Sequence, residues 1–225
     1  TEVEKQTDFT SAAYTDRKPK LDGKIDASEW KGIWLCADEA SNIKEIVDWR
    51  GPQDISYDCN LMWDEDNLYM AVIATDDAFY QNETPSMQWR GDGVQFGIED
   101  KVYQGEAIVD GFGTNEEFTE MAIALLPSGE NAYRFRAMNN TKQTGEVQNV
   151  EMKIAREDTR TIYEIAVPWS EMFYDGYKPD ADKTYGFSML VNDNDGTGRR
   201  GWAEYNDGIG SGKNAMLFGR LRLIK

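Results

Sequence analysis

The sequence predicts an all-β protein: an antiparallel β-sandwich of the jelly-roll or immunoglobulin-like kind. Three observations carry the prediction. Short runs rich in β-branched and aromatic residues recur between turn-rich loops, several of them alternate two-faced side chains, and no stretch keeps a helical period over three turns.

The runs follow in order. Cys59–Trp63 leads through the polar turn Asp64-Glu65-Asp66-Asn67 into Leu68–Ala74, a strand, a turn and a strand. Val94–Ile98 follows Gly91-Asp92-Gly93. Phe118–Leu126 and Ala132–Met138 read as a hairpin closed by Pro127-Ser128-Gly129-Glu130-Asn131. Val150–Ala155 and Ile162–Val167 flank Arg156–Thr161, and alternation is clearest where Ile162, Glu164 and Ala166 oppose Tyr163, Ile165 and Val167. Tyr185–Val191 and Leu217–Ile224 complete the set, with Gly201–Asn206 as a further candidate strand. Spacing of this kind favours an antiparallel sandwich over a parallel α/β fold. No internal repeat or linker divides the 225 residues, so 1–225 is read as one sandwich domain, with 1–20 as an N-terminal lead strand or extension.

Composition narrows the function. Hydrophobic residues make up 40% and aromatic residues 12%, enough to build a core. Forty-one acidic against 24 basic residues give a formal charge of −17. Such a surface repels phosphate backbones, which argues against nucleic acid and anionic membrane and leaves neutral ligands and divalent cations. No apolar run is long enough to span a membrane. No signal peptide is visible and the chain starts at Thr1, which is read as a mature or trimmed start with a polar lead, Thr1–Thr7. Cys36 and Cys59 make either one disulfide of an exported protein or two buried thiols. Histidine is absent, which removes Ser-His-Asp catalysis, His-based zinc and His-ligated haem but not paired carboxylates.

Four segments, in order, resemble the family 9 carbohydrate-binding modules. They are Leu21-Asp22-Gly23-Lys24-Ile25-Asp26-Ala27-Ser28-Glu29-Trp30, Leu61-Met62-Trp63-Asp64-Glu65-Asp66-Asn67-Leu68-Tyr69, Trp89-Arg90-Gly91-Asp92-Gly93-Val94-Gln95-Phe96, and a C-terminal quarter. That quarter holds Asn192-Asp193-Asn194-Asp195-Gly196, Arg199-Arg200 and Phe218-Gly219-Arg220-Leu221. The resemblance runs from Leu21 to the C-terminus, with extra residues around Gln104–Glu117. It implies a jelly-roll sandwich that binds sugars without cleaving them, often with calcium, and in the best-known members two tryptophans that clamp a sugar at a chain end. Trp89 matches the first clamp. Where the second is expected stand Ser211-Gly212-Lys213, so a two-tryptophan clamp does not carry over.

The candidate ligand-binding residues are Trp89, Gln95, Arg200, Trp202, Tyr205 and Lys213. Trp89 lies in a polar loop, an odd place for a core residue, and an aromatic face covers the C–H side of a pyranose. Trp202 or Tyr205 is a candidate for the other face, against the plainer reading that Gly201–Asn206 is simply a strand. Gln95, Arg200 and Lys213 offer planar or cationic hydrogen-bonding groups, Arg200 through a bidentate fork or, more plainly, a surface ion pair. Trp30, Trp63 and Trp169 are read as packing residues. Asp193, Asp195, Asp76 and Asp92 are the candidate ligands of a structural calcium, which takes six to eight oxygens, against the plainer reading of turns rich in Asx residues. An EF-hand is a poor reading, because no helices flank Asp193 to Glu204.

The expectation is therefore non-catalytic binding of a polysaccharide or oligosaccharide by a secreted, cell-surface or periplasmic protein, with a catalytic domain as a partner in the parent. A glycoside-active enzyme with paired carboxylates and a haem or electron-transfer sandwich, which without histidine needs Met and Lys ligands, are the competing expectations.

Overall fold

Alternation of the kind seen at 162–167 needs two environments, one on each face of a strand, and the structure supplies both. The protein is described here by a computed structural model covering residues 9–102 and 117–225. The polar lead Thr1–Thr7, and all of Gln104–Glu117 but its last residue, lie outside the described residues. Among the described residues, fourteen strands form one curled sheet. They are β1 (Phe9–Tyr14), β2 (Trp34–Ala37), β3 (Ile43–Lys44), β4 (Ile55–Trp63), β5 (Asn67–Asp76), β6 (Gly93–Glu99) and β7 (Thr119–Leu126). After them come β8 (Gly129–Arg136), β9 (Gly145–Glu146), β10 (Glu151–Glu157), β11 (Arg160–Pro168), β12 (Thr184–Asp193), β13 (Gly201–Glu204) and β14 (Gly219–Ile224). The hydrogen-bonded order is β10-β11-β5-β4-β1-β14-β12-β6-β7-β8-β9, with β2 on β4 and β13 bridging β12 and β3. One helix of a single turn, α1 (Trp169–Met172), follows β11.

The two halves of the curl face each other as a sandwich. Tyr57, Cys59, Leu61 and Trp63 of β4, with Tyr163, Ile165 and Val167 of β11, meet Val94, Phe96 and Ile98 of β6 and Phe187, Met189 and Val191 of β12 in one core. Period-2 patterning is thus satisfied, since odd residues of β4 and β11 face inward. Pairing is antiparallel with one exception: β1 runs parallel to both β4 and β14, closing the gap between the halves.

The turns are tighter than their sequences suggested. Leu126 pairs with Gly129, leaving Pro127-Ser128 as a two-residue turn. Glu157 pairs with Arg160 across Asp158-Thr159, with Asp158 at φ 51°. In the first hairpin, Asp64 Oδ1 accepts from the amides of Asp66 at 2.8 Å and Asn67 at 2.7 Å, an Asx turn.

A second apolar layer covers the outer face of β4-β5-β11 and explains the first motif. Trp30 packs with Met62, Tyr69, Ala71 and Ala166, joined by Leu21 and Ile25. Glu164, on the outward register of β11, is fully buried by this layer. Its Oε2 accepts from the amides of Asp22 at 2.8 Å and Gly23 at 2.6 Å, and its Oε1 from Trp30 Nε1 at 3.2 Å. Gly23 has φ 83°, and a Cβ there would stand 2.8 Å from Ala155 Cβ, so glycine is required. The Asp-Gly…Trp segment is a lid fastened to one buried carboxylate.

Cys36 and Cys59 are free thiols. Cys36 is opposite Asp58 and Cys59 opposite Leu35, so the two side chains leave on different faces and a disulfide does not form. Burial pushes both thiols up, Cys36 to about 12. Among the described residues no helix is long and apolar enough to cross a membrane.

Candidate functional site

On the opposite outer face, over β6, β7 and β8, lies a cleft of about 300 Å³. Its floor follows from strand alternation. Because Val94, Phe96 and Ile98 fill the core, Gln95 of β6 points outward, next to Glu120 of β7 and Arg136 of β8. Trp89 stands at one rim, half-buried on the short 3₁₀ turn Pro85–Arg90. That turn is pinned from within. Gln88 Nε2 donates to Ala122 O of β7 at 3.2 Å, and Gln81 Nε2 donates to Gln88 O at 2.9 Å and Asp92 O at 2.8 Å. The other rim is the loop 205–218, which brings Ile209, Gly210 and Lys213 to the cleft.

One hydrogen-bonded chain fixes the polar groups. Glu120 Oε1 accepts from Lys213 Nζ at 2.5 Å and Gln95 Nε2 at 3.1 Å. Gln95 Oε1 accepts from Asn192 Nδ2 at 2.7 Å, and Asn192 Oδ1 accepts from Arg199 Nε at 2.8 Å. Each amide is oriented by a charged group at one end of the chain, so the donors facing the cleft are set before any ligand arrives. Arg199 lies over two indoles, 5.6 Å from the Trp89 ring centre and 4.1 Å from that of Trp202. Burial pulls its guanidinium down to about 10, so it stays charged near neutrality.

Trp202 does not form a wall of the cleft. It is buried beneath Arg199 in an apolar cluster with Phe118, Leu190 and Ile209, and its Nε1 donates to Glu204 Oε2 at 2.6 Å. Gly210 covers it so closely that a Cβ there would stand 2.3 Å from the indole. Burial, and then the hydrogen bond it shares with Asp207, push Glu204 up to about 8. Tyr205, on the opposite side of the chain from Trp202, packs on the sandwich core and does not reach the cleft.

Arg200 is also elsewhere. Its Nη1 donates to Asp195 at 2.7 Å, Asp193 at 3.1 Å and Asp54 at 3.2 Å, and its Nη2 to Asp48 at 3.1 Å. Consecutive side chains of an extended segment point to opposite faces, so Arg199 takes the cleft and Arg200 the acidic end of the sandwich. Of the six sequence candidates, Trp89, Gln95 and Lys213 line the cleft. The sequence reading missed Arg199, Glu120, Arg136 and Phe135; the Arg199-Arg200 pair was the one signal present for any of them.

The acidic end holds most of the metal candidates. Carboxylate oxygens of Asp76, Asp193 and Asp195 lie within 4.8 Å of one another, and so do those of Asp54, Asp77 and Asp195. Burial pushes Asp76 and Asp193 up to about 7, while the Arg200 charge draws Asp193 back. Asp193 Oδ1 is buried without a hydrogen bond, an oxygen free to coordinate, and an all-carboxylate donor set suits a hard cation. Asp92 is not part of either group. Its Oδ1 accepts from Asn194 N at 2.8 Å and its Oδ2 from Tyr80 N, so both oxygens tie loops together.

Comparison with known proteins fits these observations. Residues 120–225 match the family model described as carbohydrate family 9 binding domain-like. A family 9 module from Caldicellulosiruptor kristjanssonii solved with cellotriose is 18% identical, with a TM-score of 0.66 over 96% of this chain and 93% of that one. A family 9 module from the same organism solved with glucose is 19% identical, with a TM-score of 0.63 over 96% of this chain and 95% of that one. A search of curated proteins gives no match. The family 9 resemblance carried by four motifs is thereby supported by the family model over the C-terminal half and by the β-sandwich fold over nearly the whole chain.

Proposed function

We propose that this chain is a non-catalytic carbohydrate-binding module whose ligand lies in the cleft beside Trp89. The observation that carries the reading is an indole rim beside a preset row of planar and cationic donors, Gln95, Arg199 and Lys213. An aromatic ring covers the C–H face of a pyranose while such groups bond its hydroxyls. Two structural neighbours were solved with cellotriose and glucose, which supports a saccharide as the ligand class. Among the described residues lining the cleft, Glu120 is the one carboxylate, and it is held by Lys213. Glycoside hydrolysis by paired carboxylates needs two flanking the scissile bond, so the cleft favours binding over turnover.

The test is calorimetry and affinity electrophoresis with cello-, xylo- and manno-oligosaccharides and their polymers. Saturable binding without release of reducing ends is expected, weakened at least about tenfold, about 1.4 kcal/mol, in Trp89→Ala. Release of reducing sugar, or binding that Trp89→Ala leaves intact, would refute the assignment. A structural calcium held by Asp76, Asp193 and Asp195 belongs to the same proposal, and there it would neutralise three carboxylates gathered at the sandwich end. So do a secreted or cell-surface location and a catalytic domain in the parent protein.

A further inference from the structure

Among the described residues, the cleft contains a cation with no carboxylate in ion-pairing distance, Arg199. It makes one hydrogen bond, through Nε, to Asn192. Its neighbour Arg200 meets four carboxylates in the same chain of net charge −17. In so acidic a protein, a cleft guanidinium with no ion pair among the described residues contrasts with Arg200 beside it.

The acidic groups that Arg199 does feel cannot serve it. Glu120 is committed to Lys213. Glu204 is already engaged, by Trp202 Nε1 at 2.6 Å and by Lys44 Nζ at 3.4 Å. Glu45 is exposed and acts only at longer range. The guanidinium is meanwhile fixed in plane by Trp202 beneath and Asn192 at Nε, which leaves its terminal nitrogens for the cleft. A planar two-nitrogen fork matches a carboxylate, and in a cleft walled by Trp89 and Phe135 the pairing is shielded from water.

We infer that the cleft selects a saccharide bearing a carboxylate, a uronic acid residue, with Arg199 as the group that receives it. The inference rests on the saccharide-binding reading and adds the ligand's charge to it. Neutral hydroxyls would bond Arg199 but leave its charge uncompensated, and that difference is what the selectivity exploits.

The test uses matched pairs: oligosaccharides ending in glucuronic or galacturonic acid, and the same molecules with that carboxyl reduced to the alcohol. Calorimetry at low ionic strength should show one acid form binding about tenfold or more tightly than its reduced partner, a difference of about 1.4 kcal/mol. The advantage should shrink at high salt. Arg199→Met should abolish it. Arg199→Lys, which keeps the charge and loses the fork, should retain only part of it, while Trp89→Ala should weaken both members of a pair. Equal affinity for acid and reduced forms would overturn the inference and leave the saccharide site standing. Absence of binding by every saccharide tested would remove the proposed function and the inference together.

Discussion

Replacing Glu164 with alanine should loosen the whole N-terminal lid, because this one carboxylate holds it at three points. The amides of Asp22 and Gly23 and the indole N–H of Trp30 all donate to it. Hydrogen bonds to a charged acceptor are each worth about 1.5–3 kcal/mol, and a buried donor left unmade costs about 1–3 kcal/mol. The Asp22 amide is part-buried, so water can replace its partner, whereas Gly23 N and Trp30 Nε1 are buried. Two stranded donors plus one weakened bond give an expected loss of about 3–5 kcal/mol for Glu164→Ala. Glu164→Gln keeps the shape and one acceptor oxygen and should lose about 1–2 kcal/mol. Urea unfolding followed by tryptophan fluorescence measures both, with the exposed Glu157→Ala as a control expected within about 0.5 kcal/mol of the parent. A Glu164→Ala protein within about 1 kcal/mol of that control would refute the argument that the carboxylate fastens the lid.

Two further predictions concern charge. Glu204 is raised by burial from its ordinary carboxylate range to about 8, so the fold favours its protonated form. The stability it contributes is present below its unfolded value, near 4.5, and is lost as pH rises through about 8. The Tm of the parent should therefore fall relative to Glu204→Gln between pH 5 and pH 8.5, and parallel curves would contradict the assignment. Millimolar calcium should raise the Tm over that in chelator, by an amount equivalent to about 2.7 kcal/mol at a hundredfold excess over Kd. Asp193→Asn should remove most of that gain, and an unchanged Tm in the parent would dismiss the cation.

The sequence by itself determined the sandwich and much of its core. Alternation in Ile162–Val167 and the apolar run Leu68–Ala74 are local properties, and in a strand alternate side chains go to opposite faces, so one set of each meets the sandwich core. Trp89 was legible because it interrupts a polar loop where packing gives it no role, and Gln95 and Lys213 because their side chains offer hydrogen-bonding groups. Glu164 could not be read as a fastener, because its partners lie more than 130 residues away and period-2 patterning assigns it to solvent.

Only the tertiary structure decided what lies on each face at the cleft. Arg199 and Arg200 are equivalent in sequence, and the direction in which the chain enters β13 sends one to the cleft and the other to four carboxylates. Trp202 became a support rather than a wall because the loop 205–218 folds over it and places Gly210 on its ring. The metal candidates divided in the same way, Asp76, Asp193 and Asp195 meeting at the ends of β5 and β12 while Asp92 was taken by two backbone amides. Side-chain chemistry is written in the sequence, but which groups share a face depends on pairings made across the sheet, and those are set by register rather than by residue type.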